Sequence, residues 1–73
     1  MRGWLRAKRA AIGMTQSSLA QASGVSEQYI YYIEAGERRP SVEVAKKIAK
    51  TLGFDWQRFY EDEAQEDTSE EST

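Results

Sequence analysis

Apolar residues along the chain recur at spacings of three and four, as they do on helices that bury one face. The alternating pattern of a half-buried strand does not occur. Glycines and the single proline divide residues 1–60 into five short segments, at Gly13, Gly24, Gly36, Pro40 and Gly53. The pattern therefore predicts an all-α fold with a compact five-helix domain over residues 1–60.

The first predicted helix runs from Gly3 to Ile12. Leu5, Arg9 and Ile12 share one face of it, at spacings of four and three. Gly13 follows at the position where a residue in the left-handed conformation commonly ends a helix. We therefore expect the first helix to stop at this glycine.

The other four segments each begin at a side chain that can accept a hydrogen bond from a free backbone amide. These predicted N-caps are Thr15, Ser26, Ser41 and Asp55. Two apolar pairs also have the spacing of a hydrophobic staple across a cap: Val25 with Ile30, and Phe54 with Phe59. Both pairs should hold the chain at a defined angle where it enters a helix.

The second and third segments have the spacing of a helix-turn-helix unit. Ala20 is small enough for two helices to approach closely, and Gly24, four positions later, can adopt the positive φ of a tight turn. Val25, Ile30 and Ile33 then provide the apolar side of the following helix. The third helix should therefore present its other side outward.

At these positions the sequence resembles the phage repressor and Cro-like (Xre-type) helix-turn-helix proteins, over roughly residues 4–56. The matching runs are Arg9, GMTQ (13–16), LA (19–20), GVS (24–26), Ile30, IEAG (33–36), RRPS (38–41) and IAKTLG (48–53). The resemblance implies a repressor-type DNA-binding domain of five helices, usually dimeric, with the third helix in the major groove. Ser18 departs from the pattern, because the family often has a glutamate there that completes a capping box with Thr15.

Composition removes several classes of chemistry. The chain has no cysteine and no histidine, which excludes disulfides, thiolate or imidazole metal ligands, and the common nucleophilic catalytic sets. Neither a metal nor a cofactor is expected, and the carboxylates cluster where nothing would position them for acid-base catalysis. With no apolar run long enough for a membrane span and no signal-like N-terminus, we expect a cytoplasmic protein with no membrane partner.

The formal net charge of −2 is unevenly distributed. Residues 1–60 carry ten Lys and Arg against five acids, whereas residues 61–73 carry seven acids and no base. A basic body suits a polyanionic partner, and an acidic segment without aromatic residues has little to bury. We expect a disordered acidic tail over residues 61–73 that competes with DNA for the basic face, contacts a protein partner, or only aids solubility.

The third helix carries the side chains that we expect to contact bases. With Ile30 and Ile33 defining its buried side, Gln28 and Tyr32 point nearly opposite. A glutamine can bond to adenine N6 and N7, and a tyrosine can contact a thymine methyl group, a base or a phosphate. Two residues at the start of this helix are further base-contact candidates: Ser26 and Glu27. Glu27 has an alternative role in stabilising the positive end of the helix dipole.

Contacts with the DNA backbone are expected at the rim of this surface. The candidates are Gln16, Tyr29, Tyr31, Arg38 and Arg39. The two tyrosine rings would pack against a neighbouring helix or a sugar while their hydroxyls bond phosphates. Exposed tyrosines are also typical of protein interfaces, and the two arginines have the alternative of a solvated loop.

Arg9 and Glu34 are charges of a different kind, since both lie on inward-leaning faces. In the family that the sequence resembles, the matching residues form a buried ion pair that ties the first helix to the third. The resemblance therefore implies a structural ion pair between Arg9 and Glu34.

These observations favour a sequence-specific DNA-binding transcriptional regulator, a repressor, that binds a roughly palindromic operator as a homodimer. The residues expected at the dimer interface are Leu52, Phe54, Trp56, Phe59 and Tyr60. One alternative is an antitoxin that binds both its promoter and a toxin. Another is a protein-interaction module that keeps the fold but has no salt-dependent affinity for DNA.

Overall fold

A computed structural model describes residues 1–61 of the chain. Five helices follow one another in this range: α1 (Gly3–Ala11), α2 (Gln16–Ser23), α3 (Glu27–Ala35), α4 (Val42–Leu52) and α5, a single turn over residues 58–61. No strand occurs in the described part of the chain. The predicted five-helix fold is confirmed. The acidic tail was predicted over residues 61–73, of which only Glu61 is described, as the last residue of α5; residues 62–73 lie outside the described range.

Three of the four predicted N-caps are confirmed, because the side chains of Thr15, Ser26 and Ser41 each accept a hydrogen bond from a backbone amide in the first turn of a helix. Thr15 Oγ1 accepts from Ser18 N at 3.0 Å, and Ser26 Oγ accepts from Tyr29 N at 3.1 Å. Ser41 Oγ accepts from Val44 N at 3.2 Å. Asp55 Oδ1 accepts from Gln57 N at 3.0 Å, in the turn that precedes α5. These bonds satisfy amides that have no partner within a helix.

The end of α1 differs from the prediction by one residue. The helix ends at Ala11, and Ile12 is its C-cap with φ −107° and ψ 13°. The last turn tightens, with Ile12 N donating to Arg9 O at 3.3 Å, before Gly13 adopts the expected positive φ of 72°. Ile12 therefore leaves the face that it was predicted to share with Leu5, and it is 54% exposed whereas Leu5 is fully buried.

One hydrophobic core lies between the helices. α2 packs against both α3 and α4, and α1 packs against α3. The buried residues of this core are Leu5, Leu19, Ala20, Ile30, Ile33, Ala45, Ile48, Leu52 and Phe59. Helices α2 and α3 are joined at Gly24, whose φ of 71° is in the left-handed region, and Val25 N donates to Ala20 O at 3.0 Å across this turn. The tight turn holds the two helices at one angle.

The C-terminal segment closes the core on the side of α1. Phe59 has no exposed surface, and its ring centroid lies 5.6 Å from that of Phe54 and 5.4 Å from that of Trp4. The predicted staple between Phe54 and Phe59 is thus confirmed as a ring contact. Tyr60 Oη also donates to Pro40 O at 3.0 Å, which ties α5 to the loop before α4.

Two of the residues predicted at the dimer interface instead belong to the core of a single chain. Phe59 is fully buried and Leu52 is 9% exposed, because α5 folds back over the ends of α1 and α4. Phe59 consequently has no surface with which to contact a second copy. The other three predicted interface residues are half-buried at the edge of the core: Phe54, Trp56 and Tyr60.

Candidate nucleic-acid interface

The two sides of α3 differ sharply in burial. Ile30 and Ile33 are fully buried, and they hold the helix against the core. Gln28 is exposed and Tyr32 is half-buried on the opposite side. Ser26 and Glu27, at the start of α3, are both exposed, although the Ser26 hydroxyl already accepts the capping bond from Tyr29 N. The residues predicted to contact bases therefore lie together on one open surface.

The three tyrosines of α3 have different surroundings. Tyr29 is half-buried and packs against the hydrophobic core, whereas Tyr31 is 54% exposed. Tyr31 and Tyr32 form an edge-to-face pair, with ring centroids 5.6 Å apart and an interplanar angle of 66°. The ring of Tyr29 therefore supports the helix, while the other two rings form part of its outer surface.

Gln28 and Tyr32, one helical turn apart, are joined by a hydrogen bond. Gln28 Nε2 donates to Tyr32 Oη at 3.2 Å. Side chains at this spacing lie above one another on a helix surface, so the contact follows from the helix itself. The amide and the hydroxyl thus form a single polar group on the open side of α3.

Glu34 is the centre of a buried polar cluster beneath this surface. Its carboxylate accepts from Arg9 Nε at 2.6 Å, from Arg9 Nη2 at 3.2 Å and from Gln16 Nε2 at 3.1 Å. The guanidinium also donates through Nη1 to Met14 O at 2.8 Å. The side chain of Glu34 is 6% exposed and that of Arg9 is 13% exposed. Three helices meet at this carboxylate, because Arg9 is on α1, Gln16 on α2 and Glu34 on α3.

Gln16, predicted to contact a phosphate, is therefore already held within the chain. Its amide donates to Glu34, and the side chain is half-buried at the first position of α2. A side chain anchored in this way has lost most of its freedom before any ligand arrives. Gln16 is also the first residue of α2, and the first turn of a helix has backbone amides without a partner inside the helix.

The loop after α3 carries the two predicted phosphate-binding arginines. Arg38 and Arg39 are both exposed. Arg38 N donates to Tyr32 O at 3.3 Å, and its guanidinium lies 6.0 Å from the centre of the Tyr32 ring. Ser26, Gln28, Tyr29 and Tyr32 line a single surface depression together with Arg38. The structure thus brings the loop cation beside the candidate base-contact residues.

Arg2 is the residue whose role sequence reasoning missed. It is 6% exposed, and its Nη1 donates to Ile33 O at 2.7 Å and to Arg38 O at 3.0 Å. The backbone N of Arg2 donates to Glu34 O at 2.8 Å, and the guanidinium lies 5.5 Å from the centre of the Phe59 ring. Arg2 therefore binds the C-terminal carbonyls of α3 and the following loop at the same time.

Close backbone packing accompanies this contact. A Cβ atom at Gly36 would lie 2.9 Å from the backbone N of Met1, and Gly36 also has a φ of 82°. Both the conformation and the space favour glycine at this position. The first two residues of the chain thus pack directly on the end of α3.

These observations define a helix-turn-helix domain. Its open surface contains the polar side of α3 and the loop with Arg38 and Arg39. A family model for helix-turn-helix proteins matches residues 5–59. The chain belongs to this family, whose members are DNA-binding transcriptional regulators.

Similar proteins occur in bacteria and archaea. An uncharacterized HTH-type transcriptional regulator of Bacillus subtilis, YqaF, is 48% identical over 62 residues, which cover 85% of this chain and 82% of the relative. Another, MJ0272 of Methanocaldococcus jannaschii, is 45% identical over 53 residues, covering 73% of this chain and 80% of the relative. No solved structure matches the chain. Within residues 1–61, no helix is long and apolar enough to cross a membrane.

Proposed function

We propose that this chain is a sequence-specific transcriptional repressor that reads the DNA major groove with α3. The observation that carries the proposal is the placement of Gln28 and Tyr32 on the open side of a helix whose other side is anchored by Ile30 and Ile33. An α-helix of this kind fits the width of the major groove, where base edges carry a distinct pattern of donors and acceptors.

In this proposal Gln28 is the leading base-contact residue and pairs with adenine. Tyr32 lies beside it, and Ser26 and Glu27 at the start of α3 are further residues within reach of base edges. The N-terminal residues of a recognition helix are the ones that approach the bases most closely, which supports these assignments. Glu27 would accept a hydrogen bond from a cytosine amino group rather than face a phosphate.

Backbone contacts are assigned to the residues around this centre: Gln16, Tyr29, Tyr31, Arg38 and Arg39. Arg38 and Arg39 are exposed cations in the loop that follows α3, so they can neutralise phosphates and release counterions. Gln16 is held at the N-terminus of α2, where free amides favour an anion. These contacts set the register of the protein on DNA without reading sequence.

A homodimer on a roughly palindromic operator is the assembly that we propose, with half-sites about 34 Å apart. Three half-buried aromatic residues are available for the interface: Phe54, Trp56 and Tyr60. Sedimentation of the protein with and without a saturating duplex would test the assembly by measuring the mass of the complex. We expect two chains on each duplex, one at each half-site. A complex that contains a single chain would contradict it.

Repression needs no contact beyond occupancy, because a protein bound over a promoter excludes polymerase. We also propose a cytoplasmic location, because the DNA partner, the chromosome of bacteria and archaea, lies in the cytoplasm. A reporter gene behind the selected operator should be silenced by the wild-type protein. Activation of the reporter would contradict the proposed direction of regulation.

The decisive experiment is selection of bound duplexes from a random library by the wild-type protein, Q28A and Q21A. Gln21 is an exposed glutamine on α2 and provides a matched control. The wild type and Q21A should select the same operator, and their affinity should fall steeply as salt rises. Q28A should lose the preference at one base pair in each half-site. Absence of any salt-dependent DNA binding would overturn the proposal.

A further inference from the structure

We infer that Tyr32 is a positioning residue whose hydroxyl orients the Gln28 amide, so that Gln28 selects adenine over guanine. The inference rests on the proposed function, because it concerns how the residue assigned to base contact discriminates between purines. It adds a specific task for Tyr32, which acts through Gln28.

The position of the tyrosine hydroxyl is well supported. Tyr32 is half-buried, and its ring centroid lies 5.6 Å from that of Tyr31 in an edge-to-face arrangement. The Arg38 guanidinium lies 6.0 Å from the centre of the Tyr32 ring. The backbone carbonyl of Tyr32 accepts from both Glu37 N at 2.9 Å and Arg38 N at 3.3 Å. Gln28, in contrast, is an exposed side chain with three rotatable bonds. The hydrogen bond of 3.2 Å therefore joins the flexible amide of Gln28 to the Tyr32 hydroxyl, whose position is restrained by the contacts of its own residue.

The bond to Tyr32 determines what the amide can offer to a base. A glutamine amide has two N–H donors and one carbonyl acceptor. When one N–H donates to Tyr32 Oη, one donor and one acceptor remain side by side. Adenine presents an acceptor at N7 and a donor at N6, so it matches this pair. Guanine presents acceptors at both N7 and O6, and the amide carbonyl would then face O6 in repulsion.

A reversed amide would remove this selectivity, but it has a cost on DNA. In the reversed arrangement the carbonyl of Gln28 would accept from the Tyr32 hydroxyl, and both N–H groups could bond guanine. That arrangement consumes the single hydroxyl proton of Tyr32. When Tyr32 instead accepts from Gln28, its proton is available for a phosphate or a base acceptor, which DNA supplies on every side. Binding to DNA therefore favours the orientation that matches adenine.

The test compares Y32F with Y31F, two variants that each lose one hydroxyl from the same helix. Tyr31 is the more exposed of the two, and its hydroxyl forms no hydrogen bond within residues 1–61. Library selection with the wild type and Q28A first identifies the base pair that depends on Gln28. Duplexes that carry A·T, G·C or 7-deaza-adenine at that position are then used to measure affinity, with a random-sequence duplex as reference.

We expect the wild type to prefer adenine over guanine by about 10- to 100-fold at this position, the discrimination of one good bidentate contact. Y31F loses a proposed phosphate contact, so it should bind all the duplexes more weakly by a similar factor and keep the preference of the wild type. Y32F should retain less than about threefold preference, because its affinity should fall more on the A·T duplex than on the G·C duplex or the random duplex. Replacing adenine N7 by carbon should weaken binding by the wild type and have little effect on Y32F. Thermal unfolding of Y32F should match that of the wild type.

The outcomes separate the inference from the proposed function. If Q28A leaves every base preference unchanged, the assignment of Gln28 in the proposed function fails. If Q28A removes the adenine preference but Y32F keeps it, the positioning role is overturned and the proposed function stands. Equal weakening of Y32F on adenine and guanine duplexes would also overturn it, because Tyr32 would then contact DNA independently of Gln28.

Discussion

Two pairs of arginines in this chain have opposite surroundings. Arg2 and Arg9 are buried or nearly so, and their guanidinium groups bond to carbonyls and to the Glu34 carboxylate. Arg38 and Arg39 are exposed in the loop after α3. A buried guanidinium without partners is strongly destabilising, whereas an exposed one is accessible to a phosphate. The formal charge of residues 1–60 therefore overstates the cationic surface available to DNA, since part of it holds α1 to α3.

The largest effect should come from breaking the buried ion pair. R9A leaves the Glu34 carboxylate desolvated with the Gln16 amide as its only side-chain donor within residues 1–61. The free energy of unfolding should therefore fall by about 3 to 5 kcal/mol. Chemical denaturation followed by circular dichroism measures this change. For a domain of this size the loss is a large share of total stability.

R6A is the matched control for this variant, because Arg6 is an exposed arginine on the same helix. It should change the unfolding free energy by less than about 0.5 kcal/mol. A double variant, R9M with E34L, should recover much of the loss, because apolar residues of similar size often replace a buried ion pair without cost. A stability of R9A within the range of R6A would show that the pair contributes little.

The next largest effect is expected at Arg2. R2A removes charged hydrogen bonds to two carbonyls at the end of α3 and in the following loop, and it should lower the unfolding free energy by about 2 to 3 kcal/mol. R2K should recover only part of this loss, since an ammonium group lacks the planar fork of a guanidinium. Backbone amides around Gly36 and Arg38 should also exchange faster with solvent in R2A. Unchanged exchange there would contradict the role of Arg2 in holding this loop.

The contrast between Arg2 and the helix caps explains how much of the fold could be predicted. Thr15, Ser26 and Ser41 bond amides three residues away, so the sequence near each cap contains the whole interaction. The turn at Gly24 and the buried side of α3, with Ile30 and Ile33, were likewise indicated by local spacing and periodicity. Most features of short sequence separation were therefore predicted correctly, although the end of α1 at Ile12 was not.

Features that depend on distant parts of the chain could not be derived in this way. Arg2 bonds the carbonyls of residues 33 and 38, and no local pattern indicates which cation reaches the end of α3. The burial of Phe59 depends on how α5 folds back against Trp4. The contact of Gln16 with Glu34 likewise requires the angle between α2 and α3 to be known. In each case the missing information is the packing of helices, which periodicity alone does not provide.

A smaller and purely electrostatic effect is predicted for the exposed loop. R38A should weaken binding to all duplexes by about three- to tenfold and reduce the slope of log affinity against log salt by about 1, as loss of one phosphate contact does. Its backbone carbonyl still accepts from Arg2, so stability should change by less than about 0.5 kcal/mol. Fluorescence anisotropy at several salt concentrations measures the slope.

K50A tests whether that effect is specific to the loop. Lys50 is an exposed cation on α4. None of the residues assigned to DNA contact lies on this helix. Its salt slope should equal that of the wild type. A slope reduced as much as in R38A would mean that DNA contacts extend over α4, and the loop would lose its assigned role.

The smallest expected effect also separates stability from DNA binding. Ser18 occupies the third position of α2 and its amide donates to Thr15 Oγ1, so S18E would complete a capping box and stabilise the fold by about 0.5 kcal/mol. The new carboxylate would lie at the start of α2, beside the proposed phosphate contact of Gln16, and should weaken DNA binding at low salt. The buried arginines support the fold, and the exposed arginines are proposed to support DNA binding. The carboxylate of S18E should instead raise the unfolding free energy while it lowers the affinity for DNA. Parallel changes in unfolding free energy and affinity would place the start of α2 away from DNA.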